Sequence, residues 1–235
     1  MRRLAATIAV EDHLKLKESI EEALEKVDII EIRFDYLKEK EIDASLQIAS
    51  TVKDRAIFTC RSKDQGGKME DEEKRIKILE RLIDIKPWMI DIEYDTLLNH
   101  EYMVEDNVLV SWHNFLYTPS INILEKQMDN MRRFGKNIKI VTFANDIIDN
   151  RTILDLYNRI NDDTRLVAFC MGELGMASRV LSLIYGSPFT YAALDKAIAA
   201  GQMKVDDMRA IIEKIRTDEV ILNRVIHLID EIISL

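Results

Sequence analysis

Short runs of β-branched and aromatic residues alternate along the chain with longer stretches in which apolar residues recur every three or four positions. The runs fall at Leu4–Val10, Ile29–Phe34, Ala56–Arg61, Trp88–Glu93, Val108–His113, Ile138–Phe143, Leu166–Met171 and, more briefly, Ser187–Tyr191. Between them lie amphipathic stretches such as the one carrying Ile76, Leu79, Leu82 and Ile83, or Leu124, Met128 and Met131. A strand followed by a helix of this kind, repeated, builds a parallel sheet covered by helices. Eight such cycles within ~200 residues predict an α/β fold, a single (β/α)8 TIM barrel, rather than an open doubly wound sheet. Two extra C-terminal helices are expected beyond it, at about Val205–Arg216 and Asp218–Ser234, the second apolar over more than half its circumference.

Size and composition agree with one domain over 1–235: 235 residues, 47% of them hydrophobic and 32% charged, suffice for a large core. No uninterrupted apolar stretch is long enough for a membrane span. The opening MRRLAATIAV meets Glu11 and Asp12 too soon for a signal peptide and reads as a first strand. A net charge of −9 without a basic block argues against nucleic acid and anionic membranes as partners. Cys60 and Cys170 each sit in an apolar run without metal-ligand spacing, which predicts two reduced, buried thiols in a cytoplasmic protein.

In a barrel of this kind chemistry is built at the C-terminal ends of the strands, and here those ends are polar. Strand two ends Glu31-Ile32-Arg33-Phe34-Asp35, with Glu31, Arg33 and Asp35 on one face of an extended chain. Strand three ends at Arg61, strand four carries Asp91 and Glu93, and strand five closes at His113. Strand six holds Lys139 within an apolar run, where an ammonium is costly unless compensated, and a desolvated neutral amine is a nucleophile for ketones. His113, just ahead of Thr118-Pro119, suits a general acid and base at a barrel mouth. His13 and His100 fall in polar stretches, and His227 lies in the apolar face of the last helix. The segment Met171-Gly172-Glu173-Leu174-Gly175-Met176-Ala177-Ser178-Arg179 offers backbone N–H groups and a guanidinium to an anion. Neither dinucleotide- nor phosphate-binding glycine motifs are present, so dinucleotide binding is not expected, and no spacing supports a metal site.

Taken in order, these residues resemble the type I 3-dehydroquinate dehydratase family. Glu31-Ile32-Arg33-Phe34-Asp35, Phe58-Thr59-Cys60-Arg61 through Gly66-Gly67, and Ser111-Trp112-His113-Asn114-Phe115 with Thr118-Pro119 match its motifs. So do Asn137-Ile138-Lys139-Ile140, Met171-Gly172 through Ser178-Arg179, Gly186-Ser187 with Thr190-Tyr191, and Ala200-Gly201-Gln202. The resemblance implies dehydration of 3-dehydroquinate to 3-dehydroshikimate, in the shikimate pathway of aromatic amino acid biosynthesis, through a Schiff base and with no cofactor or metal. It assigns the imine to Lys139, proton transfer to His113, and orientation of both to Glu31, with Asp91 assisting. Arg179 would clamp the substrate carboxylate, Arg33, Arg61 and Gln202 would hold hydroxyls or carboxylate, and Met171 and Tyr191 would pack on the ring. Three positions depart from the family pattern: Gln65 stands where many members carry Glu, the residues before Gln202 lack the usual proline, and Ile198 replaces a small polar residue.

A class I Schiff-base aldolase or transaldolase would also place a lysine on strand six of a barrel, but would need a phosphate site. A barrel that binds an intermediate without catalysis is the other alternative. The apolar face of the last helix, including Val225, Ile226, Ile229 and Ile233, suits a homodimer.

Overall fold

Eight parallel strands occur in chain order: β1 (Arg3–Ile8), β2 (Ile29–Arg33), β3 (Ala56–Thr59), β4 (Met89–Glu93), β5 (Val108–His113), β6 (Asn137–Phe143), β7 (Arg165–Met171) and β8 (Phe189–Ala192). They come from a computed structural model that describes residues 3–161, 163–194 and 200–217. The helices are α1 (His13–Lys26), α2 (Ile42–Ser50), α3 (Glu72–Ile85), α4 (Tyr94–Asn99), α5 (Ile121–Met131), α6 (Asp149–Leu154), α7 (Met176–Ile184) and α8 (Val205–Thr217). The strands pair in the order β7-β6-β5-β4-β3-β2-β1-β8, giving a nearly closed (β/α)8 barrel. No ladder joins β7 to β8 among the described residues, and the edge-on contact of the Phe169 and Tyr191 rings, 6.1 Å between centroids, bridges that seam.

The first three strands end sooner than their side-chain patterns suggest. β1 stops at Ile8 rather than Val10, and β3 at Thr59 rather than Arg61. In β2 the chain turns at Phe34–Tyr36, because Asp35 leaves the sheet to accept the backbone N–H groups of Arg61 and Lys68. The final strand starts two residues later than Ser187. The first of the two extra helices is α8, and the second, with Val225, Ile226, His227, Ile229 and Ile233, lies outside the described residues.

Local sequence explains where helices begin. Asp12 accepts the Lys15 N–H ahead of α1, and Asp71 accepts the Lys74 N–H ahead of α3, each cap contributing about 1 kcal/mol. The helices then bury one stripe each against the sheet: Leu16, Ile20 and Ala23 in α1, and Ile78, Leu79 and Leu82 in α3. Among the described residues no helix is long and apolar enough to cross a membrane.

Inside the barrel, period-two alternation produces two layers of opposite character. At the N-terminal ends Ala5, Ile29, Ile57, Met89, Leu109, Val167 and Phe189 pack on one another, floored by Trp88 against Phe189. One alternation step further along the same strands the buried residues are Thr7, Glu31, Thr59, Asp91 and Ser111, with Lys139 on β6. Each large apolar side chain in the lower layer contributes roughly 1.5–3 kcal/mol, which offsets the desolvation of the charges above it.

The β3–α3 turn shows how tightly the mouth is packed. The Gly67 N–H donates to the Ser62 carbonyl, and a Cβ at Gly67 would lie 2.1 Å from the Arg61 carbonyl oxygen. Gly67→Ala is therefore expected to destabilise the fold by about 2–3 kcal/mol, as overpacking does, lowering Tm by roughly 5–10 °C. Thermal unfolding checks this; a Tm unchanged within error would show that the turn yields freely.

Candidate active site

The polar layer opens into a cavity of about 320 Å³ at the C-terminal ends of the strands. Thr7, Glu31, Arg33, Arg61, His113 and Lys139 form its base, while Phe143, Phe169, Met171, Arg179, Tyr191 and Gln202 form much of its wall. Lys139, His113, Glu31, Arg33, Arg61, Arg179, Gln202, Met171 and Tyr191 thus line one space, while Asp91, singled out to assist, is fully buried against Lys139 and not part of the lining.

Lys139 is 5% exposed, in the middle of β6, and its charge is matched from two sides. Its Nζ donates to Asp91 Oδ2 at 2.8 Å and lies 3.9 Å from Glu31 Oε1. The Tyr191 ring faces it with the centroid 4.5 Å from Nζ. Glu31 is itself fixed by the hydroxyls of Thr7 (2.9 Å) and Thr59 (3.1 Å). The resemblance puts Glu31 beside both His113 and Lys139. The structure shows the approach to Lys139, and among the described residues no hydrogen bond runs from Glu31 to His113.

His113 shows part of its ring to the cavity and stacks on Phe115 at 5.8 Å, but its Nδ1 is enclosed and without a partner among the described residues. Burial, then the positive charges of Arg61 and Lys139, hold its pKa well below the usual histidine value, so the imidazole is neutral at pH 7. Asp91 is the opposite case. Burial pushes its carboxyl up, but Arg61 and Lys139 together outweigh burial and hold it well below the usual carboxylate range.

The three arginines of the cavity differ in what they hold. Arg33 forks onto Asp35 through Nε (2.8 Å) and Nη2 (2.7 Å). Arg61 reaches Asp91 at 2.7 Å, Glu93 at 3.3 Å and the Ser111 hydroxyl at 2.8 Å. Arg179, in the first turn of α7, has no carboxylate partner among the described residues. Its Nη2 donates to the Ala200 carbonyl at 3.2 Å, its Nε is buried without a partner, and its guanidinium lies over Phe169 with 4.4 Å to the centroid. Burial pulls its pKa down to about 10, the mark of a cation enclosed without its counter-charge.

Arg179 is held in place by its neighbours. The Ser178 hydroxyl accepts the Cys170 N–H and donates to the Gly175 carbonyl, and the Gly172 N–H donates to Ala200, tying the segment that carries Gln202 to the end of β7. Ala199 and Ile198 lie outside the described residues. Gln65 also lines the cavity, with Oε1 buried and unpartnered among the described residues.

Cys60 and Cys170 are buried and free, outside the cavity lining, and His13 pairs with Glu41 rather than entering the site. Thr7, Thr59 and Ser111, which orient Glu31 and Arg61, were not foreseen as site residues. Their signal is present but weak: each lies on the inward alternation of a strand whose other inward residue is apolar.

A family model described as type I 3-dehydroquinase matches residues 4–219. The 3-dehydroquinate dehydratase of Pyrococcus abyssi is 37% identical over 210 residues, 84% of this chain and 94% of that protein. That of Archaeoglobus fulgidus is 33% identical over 215 residues, 91% and 99% of the two chains. Among solved structures, the type I 3-dehydroquinate dehydratase of Clostridium difficile superposes with a TM-score of 0.79 at 22% identity, covering 92% of this chain and 93% of that one. The 3-dehydroquinate dehydratase of Aquifex aeolicus superposes with a TM-score of 0.74 at 26% identity, covering 90% and 97%. The chain belongs to the type I 3-dehydroquinase family.

Proposed function

We propose that the chain dehydrates 3-dehydroquinate to 3-dehydroshikimate through an imine on Lys139, with His113 moving the protons. The observation that carries the reading is the pairing of two unlike cations in one cavity: a lysine held between carboxylates, and an arginine enclosed without one among the described residues. An anionic ketone satisfies both. Its carboxylate supplies the counter-charge of Arg179 through charge-assisted hydrogen bonds, and its carbonyl meets Lys139.

In the reaction the Lys139 ammonium gives up a proton to His113 and the amine adds to the ring ketone; the carbinolamine hydroxyl takes that proton back and leaves as water, giving an iminium. This carries the same positive charge as the ammonium that Asp91 and Glu31 already stabilise. The electron-poor iminium acidifies the adjacent carbon. Neutral His113 takes that carbon's proton and the electron pair moves toward nitrogen. The β-hydroxyl then leaves, protonated by His113, as water. Addition of water to the conjugated iminium releases the enone and restores the ammonium. Arg33, Arg61 and Gln202 line the cavity where ring hydroxyls would lie, and Met171 and Tyr191 supply apolar surface to the ring. A neutral Gln65 in place of a carboxylate leaves the hydroxyl contact there uncharged. We further infer that 1–235 acts as one catalytic domain, in the cytoplasm, as a homodimer, and without cofactor or metal.

Borohydride reduction in the presence of 3-dehydroquinate should yield a stable adduct, mapped by peptide mass to Lys139. Lys139→Ala should abolish it together with turnover. An adduct formed only with phosphorylated sugars would replace this reading by an aldolase. His113→Ala should still form the imine but turn over about 10²–10⁴-fold more slowly, as loss of a general acid and base does, and stalled adducts should accumulate.

Because Arg61, Lys139 and Arg33 face His113 with Asp91 as the opposing charge, its neutral form persists into acid. The acid limb of kcat/KM should have its midpoint below the ordinary histidine value of about 6.5; a midpoint at or above that value would exclude His113 as its source.

Arg179→Met should raise KM roughly 10–100-fold, as loss of a charged hydrogen bond does, while leaving Tm unchanged or higher, since it removes an uncompensated buried charge. Calorimetry and steady-state kinetics on the same preparation test both halves; a lower Tm with unchanged KM would make Arg179 structural.

A further inference from the structure

A second fully buried arginine lies outside the cavity, on the side of the barrel where α3 packs over β3 and β4. Arg75 is 1% exposed, although it stands in the polar run Glu72-Glu73-Lys74-Arg75, where a solvated side chain is expected. Nη1 donates to Glu93 Oε2 at 2.7 Å and to the Cys60 carbonyl at 3.3 Å. Nη2 donates to the Thr96 hydroxyl at 2.5 Å, and Nε with Nη2 forks onto Glu72 at 2.7 and 2.6 Å.

The contacts of Glu93 continue inward. Its Oε1 accepts the Ser62 N–H at 3.0 Å and lies 3.3 Å from Arg61 Nη1. Arg61 Nη2 meets Asp91 Oδ2 at 2.7 Å, and the same oxygen accepts from Lys139 at 2.8 Å. Charges therefore alternate in an unbroken buried line: Arg75, Glu93, Arg61, Asp91, Lys139. In such a line each ion's position is set by the balance of pulls from both sides. Without Arg75, Arg61 becomes the remaining ionic partner of Glu93 and is drawn toward it, away from Asp91. Asp91 is then left to Lys139 alone, and Nζ is drawn further onto that carboxylate and away from the carbonyl it must attack. Glu93 also fixes Ser62 at the start of the turn that carries Gln65 and Gly66 into the cavity lining.

We propose that Arg75 is a positioning residue for the reaction, holding Glu93 from behind so that Arg61 stays on Asp91 and the Asp91 carboxylate is shared between Arg61 and Lys139. The inference rests on the imine reading of Lys139. It concerns the chemical step rather than binding, because Arg75 does not line the cavity.

The test compares Arg75→Met and the milder Arg75→Gln, each alone and combined with Glu93→Gln. The number of competent sites in each preparation is counted by the Lys139 adduct trapped with borohydride to a constant yield, so that slower imine formation does not lower the count. Arg75→Met is expected to lower kcat per trapped site about tenfold or more with KM changed less than about threefold, the pattern of a defect in the step after binding. Adding Glu93→Gln removes the pull on Arg61 and should recover at least about threefold of that loss, the non-additivity that coupled neighbours show. A purely structural role would lower Tm and the fraction of competent sites but leave kcat per site unchanged, and the double variant would be no faster than the single. Either result overturns the proposal. Should Arg75→Met fail to fold, Arg75→Gln, which keeps a neutral hydrogen-bonding side chain there, carries the same expectations. A wild-type protein that turns over and traps 3-dehydroquinate, beside an Arg75→Gln variant with normal kcat per site, refutes only this inference. A wild type that traps nothing refutes the imine reading and this inference with it.

Discussion

Asp91 Oδ2 accepts from Lys139 and from Arg61 at once, at 2.8 and 2.7 Å, in a place with no access to solvent. Water cannot share the burden of those charges, so the protein must supply every counter-charge itself, and the cost of failing to do so is several kcal/mol per ion. Much of the surrounding structure follows from that constraint. Glu31 needs Thr7 and Thr59 because its remaining lone pairs would otherwise be bare. Arg61 needs Glu93 and Ser111, and Glu93 in turn needs an arginine from a helix outside the barrel. A single reactive amine thus recruits partners from five strands and one helix.

Against this carefully balanced set, Arg179 stands out by being left unbalanced. Lys139 has carboxylates on two sides, whereas Arg179 has, among the described residues, only the Ala200 carbonyl and the face of Phe169. The contrast separates groups that must be ready before the ligand arrives from one whose stabilisation comes with the ligand. Binding energy from a carboxylate is greatest where the guanidinium has already been stripped of water and given nothing in return.

The parts of this arrangement that could be read from the sequence were those with local signals. Strands β4 to β7 announce themselves as β-branched runs, and Lys139 is conspicuous because an ammonium inside Asn-Ile-Lys-Ile-Val conflicts with its neighbours. The end of β2 was overrun because Arg33, Phe34 and Asp35 keep an alternating pattern, while the turn is set by Asp35 capturing N–H groups from Arg61 and Lys68, a contact across strands. Thr7 and Thr59 escaped because a threonine on a strand has the same local appearance in a core as beside a carboxylate. Arg75 was illegible for the same reason: it sits among charged residues on a helix, and only the position of Glu93 on another element turns it inward. What the sequence hides is pairing between distant segments, since a residue's own neighbours carry no record of it.

Along each strand one alternation step, roughly 6.6 Å of chain, separates the apolar layer from the charged one. Ile29 precedes Glu31, Ile57 precedes Thr59, Met89 precedes Asp91, and Leu109 precedes Ser111. The residues that hold the strands together and the residues that face the cavity are therefore different residues on the same strands. A lineage, or an engineer, can rewrite the upper ring position by position while the lower ring is left alone. New reactivity can be tried on this scaffold at the expense of local charge balance, without first having to reinvent its folding.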